Sequence, residues 1–383
     1  MSDFSGLSSY FPDLPDAPDW LDLKVALLHC GVNVDEAVYN NFEGCCRLSR
    51  NPYSCNAMIL GGEVSCSLAR VTGGEKTPFR LTVDDGKPVI TCNGRPIVRI
   101  AFHANTSFYD QQTSGGIPFG SLAVIQGWDM LAFSCLWRCE ITQSGDACGF
   151  CHTGIFSVPD HSLSEMAEVV RYAVNNNPGV GILQLTAGST FRPEAEIDRY
   201  VRIMETLGSE LEMSLPPTII YLTPPSDLKQ LDRLFDAGVS QIACDMDIWD
   251  ERLFNRICPG KARVNTRQRY LDALHYIADR YGPNRACCVF VGGIEPADSL
   301  LEGATRLARC GIVPLPSPLM PFGITPKTLP EIQPFNFGYY RKVRRETARL
   351  YRQYNLVVPG TRGSDVCLSR DIWLRRETEC LIN

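Results

Sequence analysis

From Leu122 to Leu315, short apolar runs alternate with stretches of helical periodicity, and this limits the fold more than any other feature. Strand-length runs fall at 129–133, 180–185, 218–223, 241–246, 286–291 and 312–315. Between them lie amphipathic segments. Ser162-Leu163-Ser164-Glu165 is a capping box, and it opens a helix with Leu163, Met166, Val170 and Ala173 on one face. A second helix carries Leu228, Leu231, Leu234 and Phe235 and stops at Gly238. Strict βα alternation implies parallel strands joined by crossover helices. Six such units predict a partial (β/α)6 TIM-type barrel, open on one side. In that architecture chemistry belongs at the C-terminal ends of the strands.

The first of these ends is CLWRCEITQSGDACGFCHTG, residues 135–154. Cys139, Cys148 and Cys151 form a C-x8-C-x2-C run in it. Thiolates two residues apart can grip one metal or cluster face, because the short loop turns both sulfurs inward. A third thiolate from the same loop leaves one coordination position open, as a catalytic centre requires. A zinc loop is the competing reading, but no fourth ligand stands near the pair.

Cys148-Gly149-Phe150-Cys151 resembles the end of the C-x3-C-x-aromatic-C signature of radical S-adenosylmethionine (SAM) enzymes. The usual first cysteine would be residue 144, which is Ser144 here. Either that ligand has moved back to Cys139, or it is Cys135 with a longer insertion. Cys139-Glu140, Gly145 and the final C-G-F-C resemble a widened cluster loop, which favours Cys139. The resemblance implies a [4Fe-4S] cluster on Cys139, Cys148 and Cys151, with SAM on its fourth iron and Phe150 near the adenine. Thr186-Ala187-Gly188-Ser189 is similar to the family's glycine-rich motif, whose backbone receives the methionine amino group. Asp247, followed by Pro259-Gly260-Lys261, is similar to the acidic strand end and loop of biotin-synthase-like and hydrogenase-maturase-like members. Asp247 thereby inherits a place near the ribose hydroxyls, with Asp245 as rival. Gly292-Gly293 would support the adenine. The resemblance covers roughly residues 125–325.

The implied chemistry is reductive cleavage of SAM to a 5′-deoxyadenosyl radical, which takes hydrogen from a small metabolite or cofactor precursor. An external flavodoxin- or ferredoxin-like protein would supply the electron. Lyase, transferase and sulfur-insertion outcomes all remain open. A non-catalytic iron–sulfur or zinc scaffold is the alternative from another class.

The flanks have a different texture. Residues 1–120 are expected to form an accessory section of short helices, a cysteine-rich stretch and a β-meander over 79–102 with an Asn93-Gly94 hairpin turn. Cys45, Cys46, Cys55 and Cys66 suggest either a second iron–sulfur cluster or small buried side chains in an irregular wrap. Residues 121–330 are the barrel and 331–383 a helical extension. The extension's Arg341, Lys342, Arg344, Arg345, Arg349 and Arg352 read as a solvated face or an anion clamp. Cys367 and Cys380 either complete an auxiliary site or carry no role.

A net charge of -6 argues against general nucleic-acid binding. No apolar run reaches the roughly 18 residues of a membrane span. The N-terminus lacks the basic start and apolar stretch of a secretory signal. Seventeen cysteines without such a signal suggest reduced thiols and a cytoplasmic protein.

Overall fold

The computed structural model describes residues 4–42, 57–69, 77–103, 107–136, 139–151, 162–176, 180–211, 214–320, 334–360 and 366–382. Six parallel strands run in spatial order: Met130–Leu136, Ile182–Ala187, Thr218–Tyr221, Gln241–Ala243, Ala286–Gly292 and Val313–Pro318, hereafter strands one to six. They curl into the expected open barrel. A seventh strand, Ala123–Gln126, runs antiparallel to strand one and closes that edge. It was not expected, because the Gly127 turn sits inside what reads as one apolar segment.

Local chemistry explains the helices. Ser162 and Glu165 bond each other's backbone N–H at 3.2 Å, which satisfies two donors at the start of Leu163–Asn176. Asp19 and Asp22 do the same for Trp20–Cys30. Strand four is shorter than its apolar run: after Ala243 the chain leaves the ladder, then bridges back at Asp247. The segment expected as a loop after Asp247 is instead two short helices, Glu251–Ile257 and Pro259–Val264.

The accessory section has its own apolar core, built on Leu23, Leu27, Phe79, Leu81 and Ile90. The meander is present as Phe79–Asp84, Lys87–Cys92 and Arg95–Arg99. Asn93 and Gly94 both take positive φ, 48° and 80°, as a tight hairpin needs. The cysteine-rich stretch is more regular than expected: Ala57–Leu60, Val64–Ser67 and Ala101–Phe102 form a small antiparallel sheet. Cys66 lies on it, fully buried. Cys45, Cys46 and Cys55 lie outside the described residues.

The arginine-rich extension, Phe337–Gln353, is neither a plain solvated face nor an anion clamp. Arg344 is fully buried and bonds Asp19 at 2.5 Å, Asp22 at 2.7 Å and Glu379 at 2.9 Å. Arg341 joins Asp22 at 2.7 Å. Lys24, also buried, pairs with Asp371 at 2.7 Å. These ions hold the N-terminal helix, the extension and the tail together. The tail reaches the barrel where the Leu368 N–H donates to the Pro316 carbonyl of strand six. No described helix is long and apolar enough to cross a membrane.

Candidate active site at the strand ends

Strand one delivers Cys139 to the N-cap of a one-turn helix, Glu140–Gln143, and a glycine turn at Gly145 carries the chain to Cys148 and Cys151. The Cys151 N–H donates to the Cys148 carbonyl at 3.0 Å, so the two cysteines share one tight turn. All three are half-buried. Phe150 packs half-buried against the barrel core. The Cys135 side chain and His152 lie outside the described residues.

Glu140 ties this loop to strand two. Its N–H donates to the Ser189 carbonyl at 2.9 Å. Its carboxylate accepts the Thr190 hydroxyl at 2.9 Å and the Phe191 N–H at 2.6 Å. Thr186, from the end of strand two, donates its hydroxyl to the Phe133 carbonyl of strand one. The turn after strand two is therefore fixed beside Cys139 by Glu140, through its N–H at Ser189 and its carboxylate at Thr190 and Phe191. Sequence reasoning assigned Glu140 no role; its position directly after the cysteine was the available signal.

A second seam joins the loop to the helices after strand four. The Gly149 N–H donates to the Ile257 carbonyl at 2.8 Å, and the Gly260 N–H to the Asp146 carbonyl at 3.2 Å. Arg263 pairs with Asp146 at 2.5 Å. Residue 260 must be glycine: a Cβ there would stand 1.9 Å from Ile141 Cγ2 and 2.7 Å from the Asp146 backbone oxygen. Gly260→Ala is expected to cost about 1–3 kcal/mol, the range for overpacking. Chemical unfolding checks this, and an unchanged midpoint contradicts the close approach.

Beneath that seam lies a buried charged cluster. Lys261 Nζ donates to Asp247 Oδ2 at 2.5 Å and to the Asp245 carbonyl at 2.8 Å. Asp247 has φ +67°, a left-handed conformation that costs a non-glycine residue. It is held there by its N–H on the Val289 carbonyl and its carbonyl on the Val291 N–H. Asp245 accepts the Val289 N–H at 2.9 Å, and burial pushes its carboxyl up to about 7, with Asp247 adding to the effect. Burial disfavours the Lys261 charge, yet Asp247, Tyr270 and Cys148 outweigh it and hold Lys261 well above the lysine range. A hydrogen bond with the Cys258 thiol outweighs burial at Cys148, and Lys261 adds to it, so this thiol sits below the ordinary cysteine range. Neither Lys261 nor Cys258 was given a chemical role from sequence.

Gly292 and Gly293 are brought to the same end of the barrel but stand against other partners. Tyr340 donates to the Gly292 carbonyl at 3.2 Å, and the Gly293 N–H donates to the Tyr339 hydroxyl at 3.1 Å. A Cβ on Gly293 would meet His29 at 2.8 Å. The N-terminal helix and the extension thus cover this glycine pair.

Behind strand two's turn, Glu196 is buried, with Oε2 accepting the Thr223 N–H at 3.1 Å and Oε1 unbonded. Burial pushes it up to about 8. Because the folded state holds this proton more tightly than the unfolded chain, stability falls as pH rises from about 4.5 to 8. Glu196→Gln is expected to flatten the thermal midpoint between pH 6 and 8.5. An unchanged pH profile overturns the assignment.

Residues 145–302 match the family profile described as the Radical SAM superfamily, a span that includes Cys148, Cys151 and strands two to five. These residues form a radical SAM superfamily domain. It is 22% identical over 286 residues to a bacteriochlorophyllide c C-7(1)-hydroxylase of Chlorobaculum limnaeum, covering 69% of each protein. Among solved structures it resembles the [FeFe]-hydrogenase maturase HydG, with TM-score 0.46 and 16% identity over 61% of this chain. It spans about half, 51%, of that HydG chain. A radical SAM methyltransferase from Sphaerobacter thermophilus aligns with TM-score 0.41 and 17% identity, over 73% of this chain and 76% of the other.

Membership implies a [4Fe-4S] cluster and SAM. The donor set suits such a cluster: half-buried cysteines on one loop, one of them held toward its thiolate by Cys258 and Lys261. Among the described residues no three His, Cys, Asp or Glu side chains converge as around a single ion.

Proposed function

We propose that this protein is a radical SAM enzyme that activates a C–H bond of a small molecule at a cluster held by Cys139, Cys148 and Cys151. The observation that carries the reading is the double seam of the cysteine loop, to Ser189–Phe191 through Glu140 and to Ile257–Gly260 through Gly149 and Asp146. A structural cysteine loop has no need to be braced against two other strand ends at the mouth of a barrel. When bound, the cluster and SAM supply a 5′-deoxyadenosyl radical through one-electron cleavage of the sulfonium, with an external flavodoxin- or ferredoxin-like donor providing the electron.

The chain's own residues do the positioning. Thr186 to Ser189 offer backbone groups to the methionine end, and Gly188 leaves room for close approach. Asp247 offers a carboxylate to the ribose diol, with its other oxygen and its orientation fixed by Lys261. Phe150 flanks the adenine. Glu140 keeps the turn after strand two in register with the cysteine loop. The hydroxylase named among the relatives extends the candidate outcomes to hydroxylation.

Asp247→Asn tests the ribose contact while keeping a hydrogen-bond acceptor for Lys261. A charged hydrogen bond contributes about 1.5–3 kcal/mol, so SAM should bind roughly tenfold weaker or more, with cluster absorption retained. Equal SAM affinity in calorimetry moves the role to Asp245.

A further inference from the structure

We propose that Arg370 anchors a carboxylate of the substrate inside the barrel, so that the small molecule accepted here is a largely apolar monoanion. This rests on the radical SAM reading of the barrel and adds the chemistry of what enters it. A cavity of about 200 Å³ lies within the strands, lined by Gln184, Tyr221, Val289, Leu315 and Ser317 and, from the tail, by Cys367 and Arg370. Arg370 is the one charged residue among the described residues that line it.

That arginine is 2% exposed, and its Nε and Nη1 make no hydrogen bond. The Asp129 carboxylate stands 4.0 Å from Nη1, beyond hydrogen-bond reach. The neighbouring Asp371 is taken by Lys24 at 2.7 Å. A buried guanidinium with two donors unmet is costly, and an acceptor arriving through the cavity relieves that cost. The fold also makes room for this side chain: a Cβ on Gly360, whose φ is +87°, would overlap Arg370 Nη2 at 1.2 Å.

The cavity's other walls define the rest of the ligand. Met130, Val289, Leu315 and Val358 are apolar, while Gln184, Tyr221 and Ser317 offer neutral hydrogen bonds. Asp129 balances the cation from 4.0 Å without filling its donors, so a monoanionic acceptor fits them, whereas a phosphate dianion would add twice the charge to a buried space. The volume lies below the roughly 300–1,000 Å³ of whole-ligand sites, so the cavity takes a carboxylate arm and not the entire molecule. Gln184 lies two residues before Thr186, and Val289 carries the N–H bonded to Asp245. The arm therefore sits on strands whose next residues reach the candidate active site.

The test uses cluster-loaded full-length protein with hexanoate, hexanamide or inorganic phosphate, read by calorimetry and thermal midpoint. Hexanoate should bind and raise the midpoint, hexanamide should bind at least tenfold more weakly, and phosphate should not bind. Arg370→Met should lose the preference for hexanoate, and Arg370→Lys should keep part of it. Equal binding of acid and amide, phosphate binding without hexanoate binding, or an undiminished preference in Arg370→Met overturns the proposal. If Arg370→Met does not fold, the acid–amide comparison in the wild type decides alone. Release of 5′-deoxyadenosine by the wild type reports separately on the radical reading. A protein that releases it but ignores hexanoate loses only the cavity assignment. One that prefers hexanoate but never releases 5′-deoxyadenosine keeps the carboxylate site and loses the radical reading.

Discussion

Replacing Cys148 by alanine is expected to abolish the visible absorption of a reconstituted [4Fe-4S] cluster, and with it all SAM cleavage. Cys148 is held toward its thiolate by a hydrogen bond with Cys258, with Lys261 adding to it. Its loop has no freedom to substitute another donor, since Gly149 and Gly260 pin both sides of it. Cys139→Ala and Cys151→Ala should give the same loss, because a cluster missing one of three thiolates has no replacement corner ligand. Cys135→Ala should leave the absorption intact. Loss on Cys135→Ala with retention on Cys139→Ala transfers the first ligand to the longer spacing. Retention in all of the single variants removes the loop as a cluster site.

Arg344→Met is expected to destabilise the protein by about 3–5 kcal/mol, the range for removing one partner of a buried ion pair. The size follows from the geometry. Arg344 is fully buried and meets three carboxylates, and Asp22 and Glu379 are buried with it. Removing the cation leaves those charges facing one another, with only Arg341 on Asp22 remaining. Arg344→Lys should recover part of the loss, because a point charge cannot reproduce the fork that spans Asp19, Asp22 and Glu379. Urea unfolding measures both. A change below about 1 kcal/mol would place this network among ordinary surface pairs.

How much of this was legible in the sequence depended on whether the signal was local. Period and capping marked the six parallel strands and their helices, because Ser162, Glu165 and Gly238 act within their own turn. The hairpin at Asn93-Gly94 was visible for the same reason. The edge strand Ala123–Gln126 was not, since antiparallel pairing depends on a partner and not on its own pattern. The arginine-rich extension misled for a related reason. Charge on a helix usually means solvent, but here Arg344 turns inward to carboxylates more than 300 residues away in one direction and 35 in the other. At the site, the cysteines and Asp247 stood out as chemistry-bearing residues at strand ends. The residues that brace them, Glu140, Gly260, Lys261 and Cys258, did not. Their roles are pairwise contacts between separate strand ends, and such contacts exist only once the barrel has curled. Arg370 was hidden for the same reason, in a tail that composition alone leaves featureless.

The most direct measurement of the central claim is 5′-deoxyadenosine formation by anaerobically purified, cluster-reconstituted protein supplied with SAM and a strong one-electron reductant. The account predicts that 5′-deoxyadenosine and methionine appear together, and that Cys148→Ala abolishes both. A protein that holds the cluster and binds SAM but releases no 5′-deoxyadenosine under reduction would contradict it and leave an iron–sulfur scaffold or electron carrier in its place.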